Sequence, residues 1–449
     1  MRYGKRLAAV TMATALVSVA CGSSSSSSDS GSSSGKTLLN GEIKCDGQYK
    51  GKTVEVFSPT RDSENDKPVA DFVAAYQPLV DCTGVTIKWT GTDSFETEIN
   101  VRVQGGSAPD VIDFPQPGLL ASLARKGQIA ALPDTIAAHT KSDYVSGWDT
   151  YSTVDGKVYG LPARANVKSL VWYSPAAFKD KGYAIPQTLD ELKTLSDKIA
   201  ADGGVPWCAG IESGVATGWP VTDWIEDFML RLNGPDVYDQ WVAHTIPFND
   251  PKVKAAVDAV GSYLKNPKYF GGDNAVKAEA TTKFQDGGLP ILDGKCYMHR
   301  QASFYSGLWP KGTTIGDDGQ INFFYLPVAK SGDKKVMLGA GDIYAAGNSK
   351  PESMDVLLYT GSKDYADAVL ASRKEISPRK DIDIASIADP LAKRFQELLV
   401  NSDVFRFDGS DLMPGAVGAG TFWTEITAWI VGQDTDTTLK NIEASWPAS

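Results

Sequence analysis

TVEVFS at residues 53–58, GVTIKW at residues 84–89 and DVIDF at residues 110–114 are three short apolar stretches with the composition of β-strands. A helical pattern follows each of them: apolar residues at helical spacing over 68–80, a helix that Ser94 can cap and that runs to about Gln104, and a helix over 118–126. Strands that alternate with helices favour an open, mostly parallel sheet covered by helices on both faces. We therefore predict an α/β fold.

The rest of the chain has the same mixed character. Helices are predicted over 189–201, 222–232, 253–264, 275–286, around 351–376, 390–401 and 423–431, and strands over 322–327 and 341–346. A folded body that begins at about residue 37 is too long for one hydrophobic core, so we expect two domains. The sequence contains no internal repeat and no phosphate-binding glycine loop.

The N-terminus has the features of an export signal. Basic residues at positions 2, 5 and 6 precede an apolar stretch over 7–20, which is too short to span a bilayer as a mature helix. We interpret residues 1–20 as a signal peptide. The segment LVSVACG at 16–22 resembles a bacterial lipobox, which implies that Cys21 receives lipid, although Ser18 stands where that pattern prefers Leu. Ordinary cleavage after Ala20 is the alternative.

The segment after Cys21 is built for flexibility rather than for folding. Residues 22–35 contain ten serines, three glycines and one aspartate, and such a composition buries nothing apolar. We interpret residues 21–36 as a lipidated cysteine and a tether. The protein is therefore predicted to be exported and lipid-anchored to the outer face of the bacterial cytoplasmic membrane.

Charge and cysteine content exclude several classes of function. The net charge of −11 argues against a nucleic-acid partner, because phosphate binding needs a basic surface. Cys45, Cys82, Cys208 and Cys296 allow three pairings, and the local pairing of Cys45 with Cys82 and of Cys208 with Cys296 would staple each domain separately. No two cysteines are close in sequence and the three histidines are scattered, so we predict no metal site and no cofactor.

Several blocks, in this order, resemble the extracellular solute-binding proteins of ABC importers, and within them the carbohydrate-binding group that includes maltose- and α-glucoside-binding proteins. These blocks are PDVIDF at 109–114, YGLPAR at 159–164 before SLVWY at 169–173, KFQDGG at 283–288, a Phe-rich strand that ends in LP at 326–327, and GAGDIY at 339–344. The resemblance spans residues 50–445. It implies a two-lobed, periplasmic-binding-protein-like fold with a ligand cleft between the lobes.

In this family the chain crosses three times between the lobes. The resemblance places the crossings near 164–168, 326–330 and 376–382. It implies a first lobe of residues 37–165 plus 328–380, and a second lobe of residues 166–327 plus 381–449.

Candidate ligand-binding residues lie at strand ends, on the first crossing and in loops of the second lobe. Arg61, Asp62 and Glu64 follow the first strand, Asp93 the second, and Asp113 and Gln116 end the third. A sugar needs such donors and acceptors for its hydroxyls and aromatic faces for its rings. The remaining candidates, several of them placed by the resemblance, are Arg164, Asn166, Glu212, Trp219, Arg300, Gln301, Gly341, Asp342 and Trp423.

Some of these residues have an equally ordinary structural interpretation. Asp93 could cap the next helix, Arg164 could form a structural salt bridge, and Trp423 could pack in the core. The spacing of Trp224 fits burial, which favours Trp219 as the ligand-binding aromatic residue.

The expected function is non-catalytic capture of a sugar, an α-glucoside of the maltose or trehalose type, by a monomer that delivers it to the transmembrane permease subunits of an ABC importer. Two alternatives stay open. A secreted glycoside hydrolase could use Asp62 or Glu64 with Glu212 as paired carboxylates. The same fold could also bind a non-sugar solute such as a peptide or a polyamine, because a fold does not set its ligand.

Overall fold

The computed structural model describes residues 36–62 and 67–447. The predicted signal peptide, Cys21, the tether up to residue 35 and Glu64 lie outside the described residues. Among the residues that are described, no helix combines the length and apolar character that crossing a bilayer requires.

Strands of three or more residues are labelled in chain order: β1 Thr53–Ser58, β2 Thr86–Gly91, β3 Val111–Phe114, β4 Gly160–Val167, β5 Leu170–Tyr173, β6 Met298–Arg300, β7 Asn322–Tyr325, β8 Val336–Ala346 and β9 Val404–Phe407. Two-residue strands form two small ladders, Thr37–Leu38 with Ile43–Lys44 and Thr153–Val154 with Lys157–Val158.

The larger sheet has the strand order β9-β8-β3-β1-β2, and β4 also pairs with β8. Strand β1 runs parallel to β2 and to β3, with Val56 opposite both Trp89 and Val111. All four residues of β3 are buried, as expected for a central strand with both faces covered. The α/β prediction is confirmed for this part of the chain.

The larger sheet is mixed. Three of its five described strand pairs are parallel, as predicted for a mostly parallel sheet, and the two pairs that β8 forms with β3 and β4 are antiparallel. Strand β8 is antiparallel to β3 and to β4 and parallel to β9. The chain reaches β8 from the smaller sheet. Along β8, Ile343 lies opposite Phe114 at the end of β3, and Ala346 lies opposite Val111 at the start of β3. The direction of β8 is therefore opposite to that of β3.

The smaller sheet has the order β6-β5-β7, and β5 is antiparallel to both neighbours. Strand β5 follows β4 of the larger sheet after only Lys168 and Ser169, and β7 of the smaller sheet precedes β8 of the larger one. The chain thus passes between the two sheets over residues 168–169 and 326–335. The bounds of the two lobes stay a prediction.

Helices of seven or more residues cover both sheets and are labelled in chain order: α1 Pro68–Ala74, α2 Gln77–Thr83, α3 Phe95–Gln104, α4 Pro117–Arg125, α5 Pro175–Lys181, α6 Leu189–Ala201, α7 Trp219–Asn233, α8 Pro235–Val242, α9 Pro251–Leu264, α10 Pro351–Thr360, α11 Lys363–Arg373, α12 Pro390–Val400, α13 Trp423–Ile430 and α14 Thr435–Ala444. Shorter helical turns occur at Asp134–Ala137, His139–Ser142, Trp148–Ser152, Pro267–Phe270, Asp273–Ala278, Gly409–Leu412 and Val417–Phe422.

Three predicted helices differ from the structure for identifiable reasons. The helix over 68–80 is split into α1 and α2, because Pro78 lacks the N–H that a continuous helix requires. The helix around 351–376 is split at Gly361, and the hydroxyl of Ser362 accepts a hydrogen bond from the Tyr365 N–H at the start of α11. The helix over 275–286 ends at residue 278. Beyond it, backbone groups of Thr282 and Phe284 hydrogen-bond to Glu212 in extended conformation.

The disulfides join Cys45 to Cys82 and Cys208 to Cys296, which is the local pairing that the sequence favours. The first links the start of the folded body to α2, whereas the second links the segment after α6 to the residues just before β6. Each disulfide therefore ties down one region of the chain.

Candidate ligand-binding cavity

A cavity of about 340 Å³, here called the central cavity, lies at the carboxyl ends of β1, β2 and β3. Residues from β4, β8, the start of α7 and the segment 408–423 complete its walls. Parallel strands present their carboxyl ends at one edge of a sheet, and open α/β sheets commonly bind ligands there. The position of the cavity therefore follows from the topology.

Aromatic rings form one part of the wall. The half-buried ring of Trp219 contacts Phe284 and Phe304 at centroid distances of 5.1 Å and 6.0 Å. Trp423 also lines the cavity, is 2% exposed, and belongs to none of the hydrophobic clusters that the described residues form. These rings offer flat apolar faces to a ligand.

Gly218 allows the two tryptophan-bearing helices to meet. Its φ of 113° lies in the left-handed region, and a methyl group on it would lie 2.3 Å from the Trp423 carbonyl oxygen. A larger residue would push the start of α7 away from α13. Gly218 therefore fixes the position of Trp219 relative to Trp423.

Arg164 is the centre of an ionic cluster behind the cavity. Its Nη2 lies 2.7 Å from Asp342 Oδ2 and 3.1 Å from Asp113 Oδ2, and the Ser58 hydroxyl donates to the same Asp113 oxygen at 2.7 Å. Arg164 lies opposite Asp342 in the pairing of β4 with β8, and the register shifts by one residue just beyond this pair. Burial and the Asp342 carboxylate raise the pKa of Asp113 to about 7, although Arg164 opposes this shift.

Lys168 is the centre of a second ionic cluster. Its Nζ lies 2.9 Å from Asp223 Oδ1 and 2.5 Å from Asp408 Oδ2. Carboxylate oxygens of Asp223, Glu226 and Asp408 lie within 4.8 Å of one another, the spacing of a metal site, but the Lys168 ammonium already forms ion pairs with Asp223 and Asp408. The Glu226 carboxylate accepts hydrogen bonds from the Gly409 and Ser410 N–H groups. These contacts make the cluster structural.

Several residues that line the central cavity have a buried polar atom without a hydrogen-bond partner in the described chain. Among these atoms are Gln116 Oε1, Arg164 Nε, Asn166 Oδ1 and Trp423 Nε1. Buried polar atoms are almost always hydrogen-bonded, and an unpaired one destabilises the fold by about 1–3 kcal/mol. Donors and acceptors left unpaired in one cavity are what a polar ligand would satisfy.

Comparison with known proteins identifies the family. Residues 67–298 match the family described as bacterial extracellular solute-binding protein. The chain belongs to this family. The α-glucosides-binding periplasmic protein AglE of Rhizobium meliloti is 38% identical over 416 residues, which cover 90% of this chain and 89% of that protein. The osmoprotective compounds-binding protein GgtB of the cyanobacterium Synechocystis is 41% identical over 376 residues, which cover 83% and 88%.

Solved structures confirm the two-lobed fold. The solute receptor AcbH, described as exclusive for β-D-galactopyranose, superposes with a TM-score of 0.73 at 19% identity, covering 88% of this chain and 98% of its own. The maltose-bound MalE3 of T. maritima gives a TM-score of 0.65 at 17% identity, covering 87% and 98%. Similarity at this level of identity establishes the fold of the solute-binding protein and nothing about its ligand.

Nine of the predicted site residues line the central cavity of this solute-binding protein: Arg61, Asp93, Gln116, Arg164, Asn166, Trp219, Gly341, Asp342 and Trp423. They come from distant parts of the sequence, so the fold brings them together. Of the structural interpretations, the salt bridge of Arg164 holds and the cap by Asp93 does not. Arg164 forms salt bridges and lines the cavity, and Asp93 pairs with Arg61 rather than capping α3.

Five predicted residues do not line the central cavity. Asp62 accepts a hydrogen bond from the Val69 N–H, and Glu212 accepts one from the Gly214 N–H, so both carboxylates stabilise local turns. Asp113 lies behind Arg164. The side chain of Gln301 accepts from the Ala302 N–H.

Arg300 is a further correction. Its side chain is fully buried, and its guanidinium bridges Asp223 at 2.9 Å and Asp227 at 2.5 Å. A guanidinium in this position holds α7 against β6. Its partners lie more than 70 residues away in sequence, so its sequence context could not show that the guanidinium was already paired.

The sequence analysis missed several residues that line the cavity. Phe284 and Phe304 lie outside predicted strands, although the KFQDGG block contains Phe284. Glu96 sits in the first turn of α3, where an acidic residue is ordinary. Asp408 and Asp411 follow β9, and the same strand-end argument would have found them if β9 had been predicted.

Proposed function

We propose that this protein captures an α-glucoside of the maltose or trehalose type outside the cytoplasm and delivers it, without catalysis, to the permease of an ABC importer. The observation that carries the proposal is the composition of the central cavity. Three half-buried aromatic rings face it, and buried polar atoms of Gln116, Asn166 and Trp423 lack partners in the described chain. Flat apolar faces and unpaired hydrogen-bonding groups match the two surfaces of a sugar ring.

The size of the cavity favours a short sugar. Its volume of about 340 Å³ is near the lower end of the range of about 300–1,000 Å³ for small-molecule sites. A disaccharide suits that volume better than a longer oligosaccharide. The name of one relative, which refers to α-glucosides, supports a sugar ligand.

The carboxylates considered for hydrolysis do not support that role. A glycosidase needs two carboxyl groups about 5–9.5 Å apart on either side of the scissile bond. Asp62 and Glu212 lie outside the cavity, where each accepts a hydrogen bond from a backbone N–H, and Glu64 lies outside the described residues. The relatives are named as binding proteins.

The remaining parts of the proposal concern attachment and movement. Lipid on Cys21 anchors a monomer to the outer face of the cytoplasmic membrane, and residues 22–35 let it reach the permease.

Residues 37–165 with 328–380 and residues 166–327 with 381–449 act as two lobes that close on the ligand. Scattering should therefore show a more compact particle when the ligand is added, and an unchanged profile at saturation would contradict closure.

Calorimetry with glucose, trehalose, maltose, sucrose, maltotriose and maltotetraose tests the ligand class. We expect saturable binding of at least one disaccharide, weaker binding of glucose and maltotetraose, and no product in the ligand recovered after binding. Release of glucose from a disaccharide by the purified protein would contradict a binding-only role.

A second candidate ligand is a non-sugar osmoprotectant. It is favoured by the 41% identity to a protein named for osmoprotective compounds. Glycine betaine in the same titrations distinguishes the two candidates. Binding of betaine with no binding of any disaccharide would replace the sugar proposal.

A further inference from the structure

One end of the central cavity carries acidic groups that no basic side chain neutralises. The four basic residues that line the cavity all have acidic partners: Arg61 with Asp93, Arg164 with Asp342 and Asp113, Lys168 with Asp223 and Asp408, and Arg373 with Asp71. Two other lining carboxyls, those of Glu96 and Asp411, form no ion pair within the described residues. The cavity therefore has an excess of acceptors.

These two carboxyls lie near each other because of how α4 packs. Gln116 is the residue before α4, and its amide donates to Glu96 Oε1 at 3.0 Å. Two residues later, a methyl group on Gly118 would lie 1.9 Å from the Met413 carbonyl oxygen. The backbone that carries Asp411 is thus in contact with the start of α4, and Glu96, Gln116 and Asp411 form one end of the cavity.

The three side chains offer acceptors with unused capacity. Gln116 is 6% exposed and its Oε1 has no partner in the described chain. Asp411 is 7% exposed, and its carboxylate accepts no hydrogen bond from any described group. Among the described side chains, only that of Gln116 donates a hydrogen bond to Glu96. A primary ammonium group has three donors and no acceptor, which matches this set.

The electrostatic setting agrees with the geometry. Burial raises the pKa of Asp411 well above its usual range, the carboxylates of Asp408, Asp223 and Glu96 raise it further, and Lys168 opposes them. Burial also raises the pKa of Glu96, while its hydrogen bond from Gln116 opposes the shift. A cationic substituent on the ligand would supply the charge that the free site lacks.

We propose that the Glu96–Gln116–Asp411 end of the cavity binds an ammonium group, so that the protein takes amino-substituted glucosides more tightly than the neutral sugars. This inference rests on the proposed capture of glucosides. The ligand would have a primary amine at this end of the cavity and a sugar ring against the aromatic side chains of the cavity.

The test compares neutral and amino sugars by calorimetry at pH 7. The probes are trehalose and maltose, and for each the set of derivatives in which one hydroxyl is replaced by a primary amine. We expect at least one amino derivative to bind about tenfold more tightly than its parent, because charge-assisted hydrogen bonds are stronger than neutral ones. A short diamine without a sugar, putrescine, should not bind measurably.

Variants locate the effect. Asp411→Asn and Glu96→Gln keep the size of each side chain and remove its charge. Each should therefore abolish most of the gain in affinity that the amino derivative shows over its parent sugar. Asp62→Asn is the matched control, since it removes a carboxylate that lies outside the cavity, and it should keep the gain. Thermal melting confirms folding, and if one of the two variants does not fold, the other carries the test.

Four outcomes overturn the inference. If the neutral sugars bind and no amino derivative binds more tightly, the ammonium site is wrong while the proposed function stands. If the gain survives both Asp411→Asn and Glu96→Gln, the amine binds elsewhere. If neither the neutral nor the amino sugars bind, the proposed function fails together with this inference. Binding of putrescine in preference to amino sugars would also contradict it.

Discussion

The central cavity and a second cavity have nearly the same volume, about 340 Å³ and about 350 Å³, but differ in the state of their polar groups. The second cavity lies between β7, β8 and α12 and is lined by Phe323, Phe324, Tyr325, Lys335, Met337, Arg394, Glu397, Leu398, Asn401 and Ser402. None of these described residues has a buried side-chain polar atom without a hydrogen-bond partner, whereas several residues of the central cavity, among them Gln116 and Asn166, have one.

Local contacts explain the difference. In the second cavity, Arg394 donates to Asn322 Oδ1 at 2.9 Å and lies 4.1 Å from the centre of the Phe323 ring, and the Tyr325 hydroxyl donates to the Val336 carbonyl at 2.5 Å. The protein itself thus satisfies these groups. Volume alone does not identify a binding site, whereas buried groups that the fold leaves unpaired do.

The largest expected effect is on ligand affinity after Trp423→Ala in the central cavity. Loss of the stacking face should weaken disaccharide binding by about 10- to 100-fold, from about 1–3 kcal/mol of apolar contact. Calorimetry with the disaccharide that binds best measures the change. Unaltered affinity in a folded variant would remove Trp423 from the site.

Trp429→Ala on the same helix is the matched control. Trp429 is 1% exposed, lies in a hydrophobic core cluster and does not line the central cavity. Its truncation should lower stability by about 3–5 kcal/mol and leave the affinity of the folded protein near that of the wild type. Melting curves of both ligand-free variants should therefore show the larger loss for Trp429→Ala.

The residues that line the central cavity also show how much of the site could be predicted from the sequence. Trp219 and Trp423 were placed by resemblance to maltose-type relatives. Arg61, Asp93 and Gln116 were placed because each lies just beyond a strand that was itself easy to recognise. Asp411 also lies just beyond a strand, but β9 is four residues long and contains Arg406, so its pattern is weak.

Ion pairs between residues far apart in the sequence could not be predicted from the sequence alone. Arg300 looked available for a ligand because nothing near it in sequence is acidic, yet Asp223 and Asp227 on α7 neutralise it completely. Strand β8 was predicted from Gly341 onward, and its first five residues were missed because charged residues precede them. Local patterns predict where an element lies, whereas the partners of a charge depend on the tertiary fold.

The next effect concerns how the stability of the protein depends on pH through Asp113, in the ionic cluster of Arg164 behind the central cavity. Burial and Asp342 raise the pKa of Asp113 to about 7, against about 3.9 in an unfolded chain. Between these values the folded state binds more protons at this group than the unfolded state, so its contribution to stability falls as pH rises from 4 to 7.

Denaturant unfolding of the wild type and of Asp113→Asn measures this contribution. The wild-type free energy of unfolding should fall between pH 5 and pH 7 by about 2 kcal/mol more than that of the variant. Ser402→Ala in the second cavity should keep the wild-type slope. Parallel pH profiles for the wild type and Asp113→Asn would show that this carboxyl does not titrate in the window.

A smaller effect is expected for Asn166→Ala in the central cavity. The side chain of Asn166 makes no hydrogen bond to any described group, and its Oδ1 is buried. Its removal should weaken ligand binding by about three- to tenfold, as for one neutral hydrogen bond, without lowering the stability of the free protein. A variant that loses stability but keeps its affinity would place Asn166 in the scaffold rather than in the site.

The smallest effect is expected for the same chemical change in the second cavity, Asn401→Ala. Asn401 is exposed and follows α12, where its N–H bonds to the Glu397 carbonyl and is retained after truncation of the side chain. We expect the dissociation constant for the disaccharide to stay within about twofold and stability within about 0.5 kcal/mol of the wild type. Calorimetry and denaturant unfolding of the two alanine variants, side by side, give the comparison directly.

The two cavities nearly match in volume, so a clear loss of affinity for Asn166→Ala and none for Asn401→Ala would assign the ligand to the cavity with unpaired groups. A loss of fivefold or more for Asn401→Ala would instead show that the second cavity takes part in binding, and the distinction drawn from unpaired polar atoms would fail.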